Sequence, residues 1–227
     1  IPFYQPIFDR NKEIVKYETL MRIRDIDENE KVIYFTPNLF LSVSFKTKQY
    51  LQLSHIIISK TFDNLLKTKK QISLNISFKD ILNNEFIEFL DNKMDRLEKK
   101  DKQRIIFEIL ESDYISDYEH LEEFISKYKK HGVKIAIDDF GTGYSNFIRI
   151  MRIRPDYLKI DSSLIKYIDI DKNSYEIVKS IIAFSKALSI KTIAEYVHTK
   201  EILDLLLEMG VDEFEGFYLG EPSLNIE

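Results

Sequence analysis

The sequence contains no cysteine among its 227 residues. This absence excludes disulfide bonds, a thiolate zinc site and a cysteine nucleophile, and it agrees with a reducing compartment. The sequence also lacks an apolar stretch of about 20 residues and a secretory signal peptide. We therefore expect a cytoplasmic domain, whose parent protein is free to be anchored in a membrane.

Excess positive charge is lacking as well, since 38 acidic residues outnumber 33 basic ones and leave a net charge of −5. A nucleic-acid polymer is therefore not an expected partner, whereas a small anionic ligand stays open. No linker rich in Pro, Ser or Gly divides the chain, and 44% hydrophobic residues suit one large domain. The chain begins with Ile1 rather than Met, so we expect residues 1–227 to be a single domain of a longer protein.

Short apolar runs alternate with helical periods along most of the chain. Runs typical of strands lie at 71–77, 104–110, 133–137, 156–160 and 191–195. Helical spacing is found at 50–67, 84–98, 121–128, 177–188 and 202–209. Thr199 and Gly210 bracket the last helix, and Asn173 with Glu176 predicts a capping box for the helix before it. The polar turn 10–13 between two apolar segments predicts a hairpin near the start of the chain.

Repeated strand–helix units in one domain predict a parallel sheet, either open or closed. Polar residues recur in or just after successive strands, namely Glu18, Asn75, Glu108, Asp138, Lys159 and Glu195. In a (β/α)8 barrel the strand ends converge on one mouth, whereas an open doubly wound sheet gathers them only near its switch point. The recurrence therefore favours an α/β barrel.

The neighbouring carboxylates of Asp138 and Asp139 follow the apolar run "IAI", where two like charges repel unless a cation lies between them. Together with Glu18, Asn75 and Glu108, Asp138 forms a set of oxygen ligands that suits Mg²⁺ or Mn²⁺. A regular strand would point Asp138 and Asp139 to opposite faces, so Asp139 reaches a second ion only if the strand kinks.

Two such ions would clamp the attacking water and the leaving oxygen of a phosphodiester. Lys159 offers a cation to a water or a phosphoryl oxygen, and Glu195 either binds metal or orients that water. Gly141 and Gly143 permit the loop that the kink requires. Each residue taken alone has a simpler interpretation, such as a solvated cap, a turn residue or a surface lysine, so the prediction depends on their number at successive strand ends.

Ordered motifs along nearly the whole chain resemble the EAL-type cyclic di-GMP phosphodiesterases. The opening "YQPI" starts at Tyr4, and "ETLMR" stands for the signature E-A-L-x-R. They are followed by "LNIS", "EILE", "DDFGTGYSN", "LKID", "AEYVH" and "EGFYLGEP". The resemblance implies a modified TIM barrel with an antiparallel first strand, and hydrolysis of cyclic di-GMP to linear pGpG by a metal-activated water.

The resemblance also implies roles for individual residues. Two Mg²⁺ or Mn²⁺ ions would be held by Glu18, Asn75, Glu108, Asp138 and Asp139. The catalytic set would be Lys159, Glu195, Glu18 and Glu111, with Glu111 bracing the loop 139–147. The residues against the nucleotide would be Gln5, Leu20, Arg22, Asp161 and Glu215. Expected partners are cyclic di-GMP, a second copy of the chain in a homodimer, and a sensor, receiver or GGDEF domain in the parent protein.

Several positions depart from the family pattern. Thr19 replaces an Ala, Tyr196 a Gly, His198 a Glu, and Glu215 a Gln. Tyr196 and His198 would loosen the support of Glu195 or narrow the pocket, and Glu215 adds a negative charge that either weakens substrate binding or strengthens metal binding. Three hypotheses follow: an active phosphodiesterase, a catalytically weak receptor for cyclic di-GMP, and a purely structural or partner-binding domain.

Overall fold

The computed structural model describes residues 1–112, 118–141 and 147–226, apart from the side chain of Tyr118. The strands are β1 (Pro2–Asp9), β2 (Ile14–Met21), β3 (Ile23–Ile26), β4 (Val32–Phe35), β5 (Gln71–Asn75), β6 (Ile105–Leu110), β7 (Lys134–Phe140), β8 (Tyr157–Ile160), β9 (Lys191–Ala194) and β10 (Glu213–Phe214). The helices are α1 (Pro37–Lys46), α2 (Tyr50–Leu65), α3 (Phe78–Ile81), α4 (Asn84–Asp95), α5 (Lys99–Lys102), α6 (Tyr118–Lys130), α7 (Phe147–Ile153), α8 (Ser162–Ile165), α9 (Lys172–Ala187) and α10 (Lys200–Met209).

Eight strands close into a barrel in the order β1-β10-β9-β8-β7-β6-β5-β2. Strand β1 runs antiparallel to both of its neighbours, β2 and β10, while the other neighbouring strands pair in parallel. The prediction of a modified TIM barrel with an antiparallel first strand is confirmed, and so is the hairpin across residues 10–13. A separate two-stranded sheet, β3 with β4, was not predicted.

Alternation along the strands places one set of side chains inside the barrel and another against the helices. Inside, Ile7, Ile106, Ala136, Tyr157 and Ile193 form a small apolar layer. Outside, a much larger apolar cluster fills the space between barrel and helices, with Phe107, Ile135, Leu158 and Phe140 among its fully buried members. Strand residues two apart point to the same face. The residue two positions after each member of the inner layer therefore also points into the barrel.

The helix boundaries correct one prediction. Asp171, not Asn173, caps α9, because its carboxylate accepts hydrogen bonds from the backbone N–H groups of Asn173 and Ser174. The capping box of Asn173 with Glu176 was therefore wrong, since both residues already lie inside the helix. Thr199 does cap α10, which ends at Gly210 in a left-handed conformation with a φ of 89°. Within the three described ranges, no helix is long and apolar enough to cross a membrane.

The amino end of the barrel is closed by a buried ion pair. Lys16 Nζ lies 2.5 Å from Glu213 Oε2 and 3.3 Å from the centre of the Tyr157 ring. All three side chains are buried. A buried charge needs such a partner to offset its lost hydration. Because these side chains fill the amino end of the barrel, the opposite, carboxyl end is the open mouth.

Candidate functional site

Lys159 stands at the centre of a ring of carboxylates at the carboxyl end of the barrel. Its ammonium donates hydrogen bonds of 2.9 Å to Glu18 Oε2 and 3.0 Å to Glu108 Oε2. Nζ also lies 3.1 Å from Asp138 Oδ1, 2.8 Å from Glu195 Oε1 and 3.7 Å from Glu215 Oε1. The Lys159 side chain is only 1% exposed, so these charges interact with little screening by water.

The alternation of the strands explains why these side chains meet. Glu108, Asp138 and Lys159 each come two residues after a member of the inner apolar layer and therefore point to the barrel axis. Glu195 and Glu215 follow directly after β9 and β10, where the backbone N–H of Glu215 bonds to the carbonyl of Ala194. The predicted strand-end residues thus converge on one mouth.

Asn75 and Ser73 support this ring from β5. Asn75 Nδ2 donates a 3.0 Å hydrogen bond to Glu18 Oε1, so its Oδ1 is the atom that would face an ion. Ser73 hydrogen-bonds to the carboxylate of Glu108, a contact that the sequence analysis missed. Ser73 could have been predicted as a site residue, because it lies two residues before Asn75 and therefore on the same face of the strand.

The kink that Asp139 requires is present. The pairing of β7 with β8 shifts register between Ile137 and Phe140, and Asp139 has a φ of 55°. Such a bulge re-aims a side chain, and a carboxylate oxygen of Asp139 comes within 4.8 Å of ligand atoms of Asp138 and Glu195. The carboxylates of Asp138 and Asp139 therefore do reach the same side of the strand.

Two overlapping groups of carboxylates have the spacing of a metal site. Oxygen atoms of Glu18, Glu195 and Glu215 lie within 4.8 Å of one another, and those of Asp138, Asp139 and Glu195 form the second group. Within the part of the chain that the structure describes, the buried atom Glu215 Oε2 has no hydrogen-bond partner, and Asp138 Oδ1 contacts the Lys159 ammonium at 3.1 Å. Buried carboxylate oxygens with unused lone pairs, all hard ligands, fit Mg²⁺ or Mn²⁺.

The electrostatics of the ring indicate a deficit of positive charge. Burial, followed by repulsion from Glu18, raises the pKa of Glu108 to about 8 despite the attraction of Lys159. Burial, followed by Asp138, raises the pKa of Asp139 to about 6. Burial also raises the pKa of Glu195 and Glu215 well above the ordinary value, with Lys159 opposing the change. One ammonium is thus too little for this many carboxylates, and a divalent ion would displace the protons they retain.

Lys159 itself remains an ammonium. Burial alone would lower its pKa, but the surrounding carboxylates, led by Asp138 and Glu108, raise the pKa well above the usual value. At neutral pH this side chain therefore donates hydrogen bonds and does not accept a proton. Its position suits holding a water or a phosphoryl oxygen.

Glu111 contacts the start of the loop after β7. Its Oε2 accepts a 3.2 Å hydrogen bond from the backbone N–H of Gly141. Glu111 therefore contacts Gly141 of the loop 139–147, and its role as a brace stays a prediction. Residues 142–146, which include Gly143, lie outside the described residues.

The residues predicted to touch the nucleotide separate into two places. Gln5, Leu20, Arg22 and Glu215 line a cavity of about 300 Å³ that also reaches Glu18. We call this cavity the mouth cavity; its remaining lining residues are Tyr196, His198, Gly216, Phe217 and Pro222. Asp161 lies elsewhere, beside Asp139, where its Oδ1 caps α8 by accepting a 2.8 Å bond from the N–H of Ser163.

Glu215 belongs to the carboxylate ring as well as to the mouth cavity. It shares a potential metal group with Glu18 and Glu195, a neighbourhood that the sequence alone left open. The strand before it, β10, has only two residues, which is too short for a periodic signal. Glu195 keeps its 2.8 Å contact with Lys159, so the unusual residues Tyr196 and His198 have not withdrawn it from the ring.

Comparison with known proteins agrees with this geometry. The EAL domain family profile matches residues 1–222. The chain is 27% identical over 224 residues to the cyclic di-GMP phosphodiesterase PdeF of Escherichia coli, covering 96% of the chain and 29% of that relative. It is also 27% identical over 228 residues to the cyclic di-GMP phosphodiesterase PdeB of Shewanella oneidensis, covering 97% of the chain and 26% of that relative.

Two solved structures share the fold. The PaMucR phosphodiesterase in complex with c-di-GMP has a TM-score of 0.87 and 28% identity, covering 98% of this chain and 91% of that one. The Bacillus subtilis YkuI protein, with an EAL domain in complex with substrate c-di-GMP and calcium, has a TM-score of 0.83 and 26% identity, covering 100% of this chain and 55% of that one. The chain spans less than a third of the length of the two curated relatives. From its family profile, its barrel and its ring of carboxylates, the chain belongs to the EAL domain family.

Proposed function

We propose that this domain is a phosphodiesterase that hydrolyses cyclic di-GMP to linear pGpG with a metal-activated water. The observation that carries the proposal is the convergence of five carboxylates on Lys159 at the open mouth. Similarity to proteins named cyclic di-GMP phosphodiesterases supports the choice of substrate. A buried anionic ring of this kind suits a phosphodiester substrate only when divalent ions offset its charge.

The residues that would hold two ions are Glu18, Asn75, Glu108, Asp138 and Asp139. Bound Mg²⁺ or Mn²⁺ would polarise the phosphodiester and lower the pKa of a coordinated water. The chain itself would supply orientation. Lys159, kept as an ammonium, would hold the attacking water or a phosphoryl oxygen, and Glu195 would accept a hydrogen bond from that water or bind metal. Glu111 would hold the backbone after Asp139 through Gly141.

The substrate would enter through the mouth cavity, which joins the carboxylate ring to Arg22 and Gln5. The Arg22 guanidinium has paired donors that match a phosphate or a guanine edge. One of its nitrogens, Nη1, donates to the Met21 carbonyl at 2.9 Å, which orients the group. Gln5 is oriented in the same way by a 2.7 Å bond from Nε2 to the carbonyl of Gly220.

Glu215 favours a second candidate function, a receptor that binds cyclic di-GMP with little turnover. Its carboxylate adds negative charge to a ring that already holds Glu18 and Glu195. If Glu215 repels the substrate phosphates in the reactive position, binding would persist while hydrolysis slows. The two functions differ in whether pGpG forms when metal is added.

Turnover by the purified domain tests both candidates. We expect chromatography to show pGpG with Mg²⁺ or Mn²⁺ and none with chelator. Glu18→Gln should abolish the reaction, because it removes a charged ligand, while the matched exposed variant Glu98→Gln should leave it unchanged. Binding of cyclic di-GMP without product under every metal condition would favour the receptor, and full activity of Glu18→Gln would contradict the metal assignment.

We further propose a cellular compartment, an oligomeric state and neighbouring domains for this domain. It would work in the cytoplasm, as a homodimer, within a longer chain that carries a sensor, receiver or GGDEF domain. The support is the greater length of the curated relatives and the bifunctional diguanylate cyclase and phosphodiesterase MucR of Pseudomonas aeruginosa among them. Light scattering of the purified domain would test the dimer, since a monomer mass at working concentration would contradict it.

A further inference from the structure

The mouth cavity is lined by aromatic side chains as well as by carboxylates. Tyr196 and His198 line it, with ring centres 5.0 Å apart and planes inclined by 48°. Glu18 and Glu215 line the same cavity and belong to the carboxylate ring. A ligand in this cavity would therefore meet both carboxylates and flat aromatic surfaces.

The backbone holds Tyr196 in a costly conformation. Its φ is 58°, a left-handed value that is rare for a bulky residue and destabilises the folded state where the surroundings impose it. The next residue fixes it there, because Val197 exchanges backbone hydrogen bonds with its neighbours, donating to Glu215 and accepting from Tyr218. A glycine would take this conformation without strain, so the large side chain here has a cost in stability.

Packing in the core does not explain the strained conformation, since Tyr196 remains 47% exposed. His198 steadies Tyr196. Its Nδ1 lies 3.1 Å from the carbonyl oxygen of Tyr196, and because a carbonyl can only accept, Nδ1 carries the hydrogen. In the neutral ring Nε2 is then an acceptor, available to an N–H group on the edge of a bound base.

We infer that Tyr196 and His198 form a stacking wall for one purine base of the cyclic dinucleotide, and so contribute to substrate specificity. This inference rests on the proposed function. A cavity of about 300 Å³ is within the size range of small-ligand sites. Stacking of a base on an aromatic side chain contributes to binding on the same scale as the backbone strain costs in stability. The phosphodiester would then lie toward Glu18 and Glu215, where the metal ligands are.

The test compares Tyr196→Gly with the matched variant Tyr196→Phe, which keeps the ring. Binding of cyclic di-GMP is measured by calorimetry with Ca²⁺, KM and kcat from initial rates with Mg²⁺ or Mn²⁺, and stability by thermal unfolding. We expect Tyr196→Gly to unfold at the same or a higher temperature, since its strain is relieved. Its Kd and KM should rise roughly tenfold, on the scale of base stacking, while kcat changes little. Tyr196→Phe should bind within about twofold of the original protein, since the stacking face is kept.

Equal Kd values for Tyr196→Gly and the original protein would overturn the inference while leaving the phosphodiesterase proposal intact. A loss of kcat without a change in KM would also overturn it, because that result would assign Tyr196 to the support of Glu195. If the original protein binds no cyclic di-GMP with any metal, the proposed function fails and the inference fails with it.

Discussion

The buried carboxylate of Glu108 should make the metal-free protein less stable as the pH rises. Burial, followed by repulsion from Glu18, raises its pKa from 4.5 to about 8. Between these values the folded protein keeps a proton that the unfolded chain has lost. Because the folded state binds more protons in this window, the free energy of unfolding falls from pH 4.5 to pH 8. At about 1.4 kcal/mol per pKa unit the full contribution is on the order of 5 kcal/mol, which is an upper bound because neighbouring carboxylates share the protons.

Replacing Glu108 by Gln removes this contribution, because the amide keeps the shape of the side chain and does not ionise. Urea unfolding in chelator at pH 5, 6, 7 and 8 measures the effect. We expect the decline in stability between pH 5 and pH 8 to be shallower in Glu108→Gln by up to about 4 kcal/mol, whereas Glu98→Gln, at an exposed position, should follow the original protein. Saturating Mg²⁺ or Mn²⁺ should flatten the decline in the original protein, since an ion replaces the protons. Parallel curves for Glu108→Gln and the original protein in chelator would refute the reasoning.

Three further predictions concern stability, measured by thermal or urea unfolding. Within the described residues, the buried Thr19 hydroxyl has no hydrogen-bond partner, so Thr19→Val should stabilise the protein by about 1 kcal/mol; destabilisation would show that the hydroxyl is satisfied. Asp171→Ala removes three hydrogen bonds from the first turn of α9, two of them from backbone N–H groups, and should cost about 1 kcal/mol; no change would show that the cap is dispensable. Gly216 has a φ of 152°, and a Cβ there would lie 2.2 Å from the Val197 carbonyl oxygen; Gly216→Ala should therefore cost about 3 kcal/mol or more, and a stable variant would contradict the close approach.

The barrel could be predicted because its strands carry a repeated local signal. Runs such as 104–110 and 133–137 are apolar on both faces, and the acidic residues Glu108 and Asp138 fall near or just after their carboxyl ends. The elements that were missed have no such signal. The strands β3 and β4 have four residues each and are largely exposed, so the sequence there lacks a buried face. The cap of α9 was misplaced because Asp171, Asn173 and Ser174 are all typical cap residues, and only the backbone geometry decides among them.

The candidate site divides in a similar way. The residues that gather at the mouth could be predicted from the strand ends and the motifs, because the alternation of a strand fixes the direction of its side chains. The contacts among these residues could not be predicted from the sequence. That Glu215 joins Glu18 and Glu195 depends on the two-residue strand β10, and the left-handed conformation of Tyr196 depends on hydrogen bonds from distant residues. Such long-range contacts leave no periodic trace in the sequence.

The reversed direction of β1 has a consequence for how this barrel is attached to anything else. Because β1 begins at the end where the parallel strands finish, Ile1 lies beside Arg22, and their backbones bond in both directions. Ser223, near the other end of the chain, pairs with Tyr4 on the same strand. Ile1 and Ser223 therefore both lie next to residues that line the mouth cavity, Arg22 and Pro222. A tag, dye or fused protein joined to either end would be tethered at high local concentration next to the entrance, where it can obstruct or report on ligand entry.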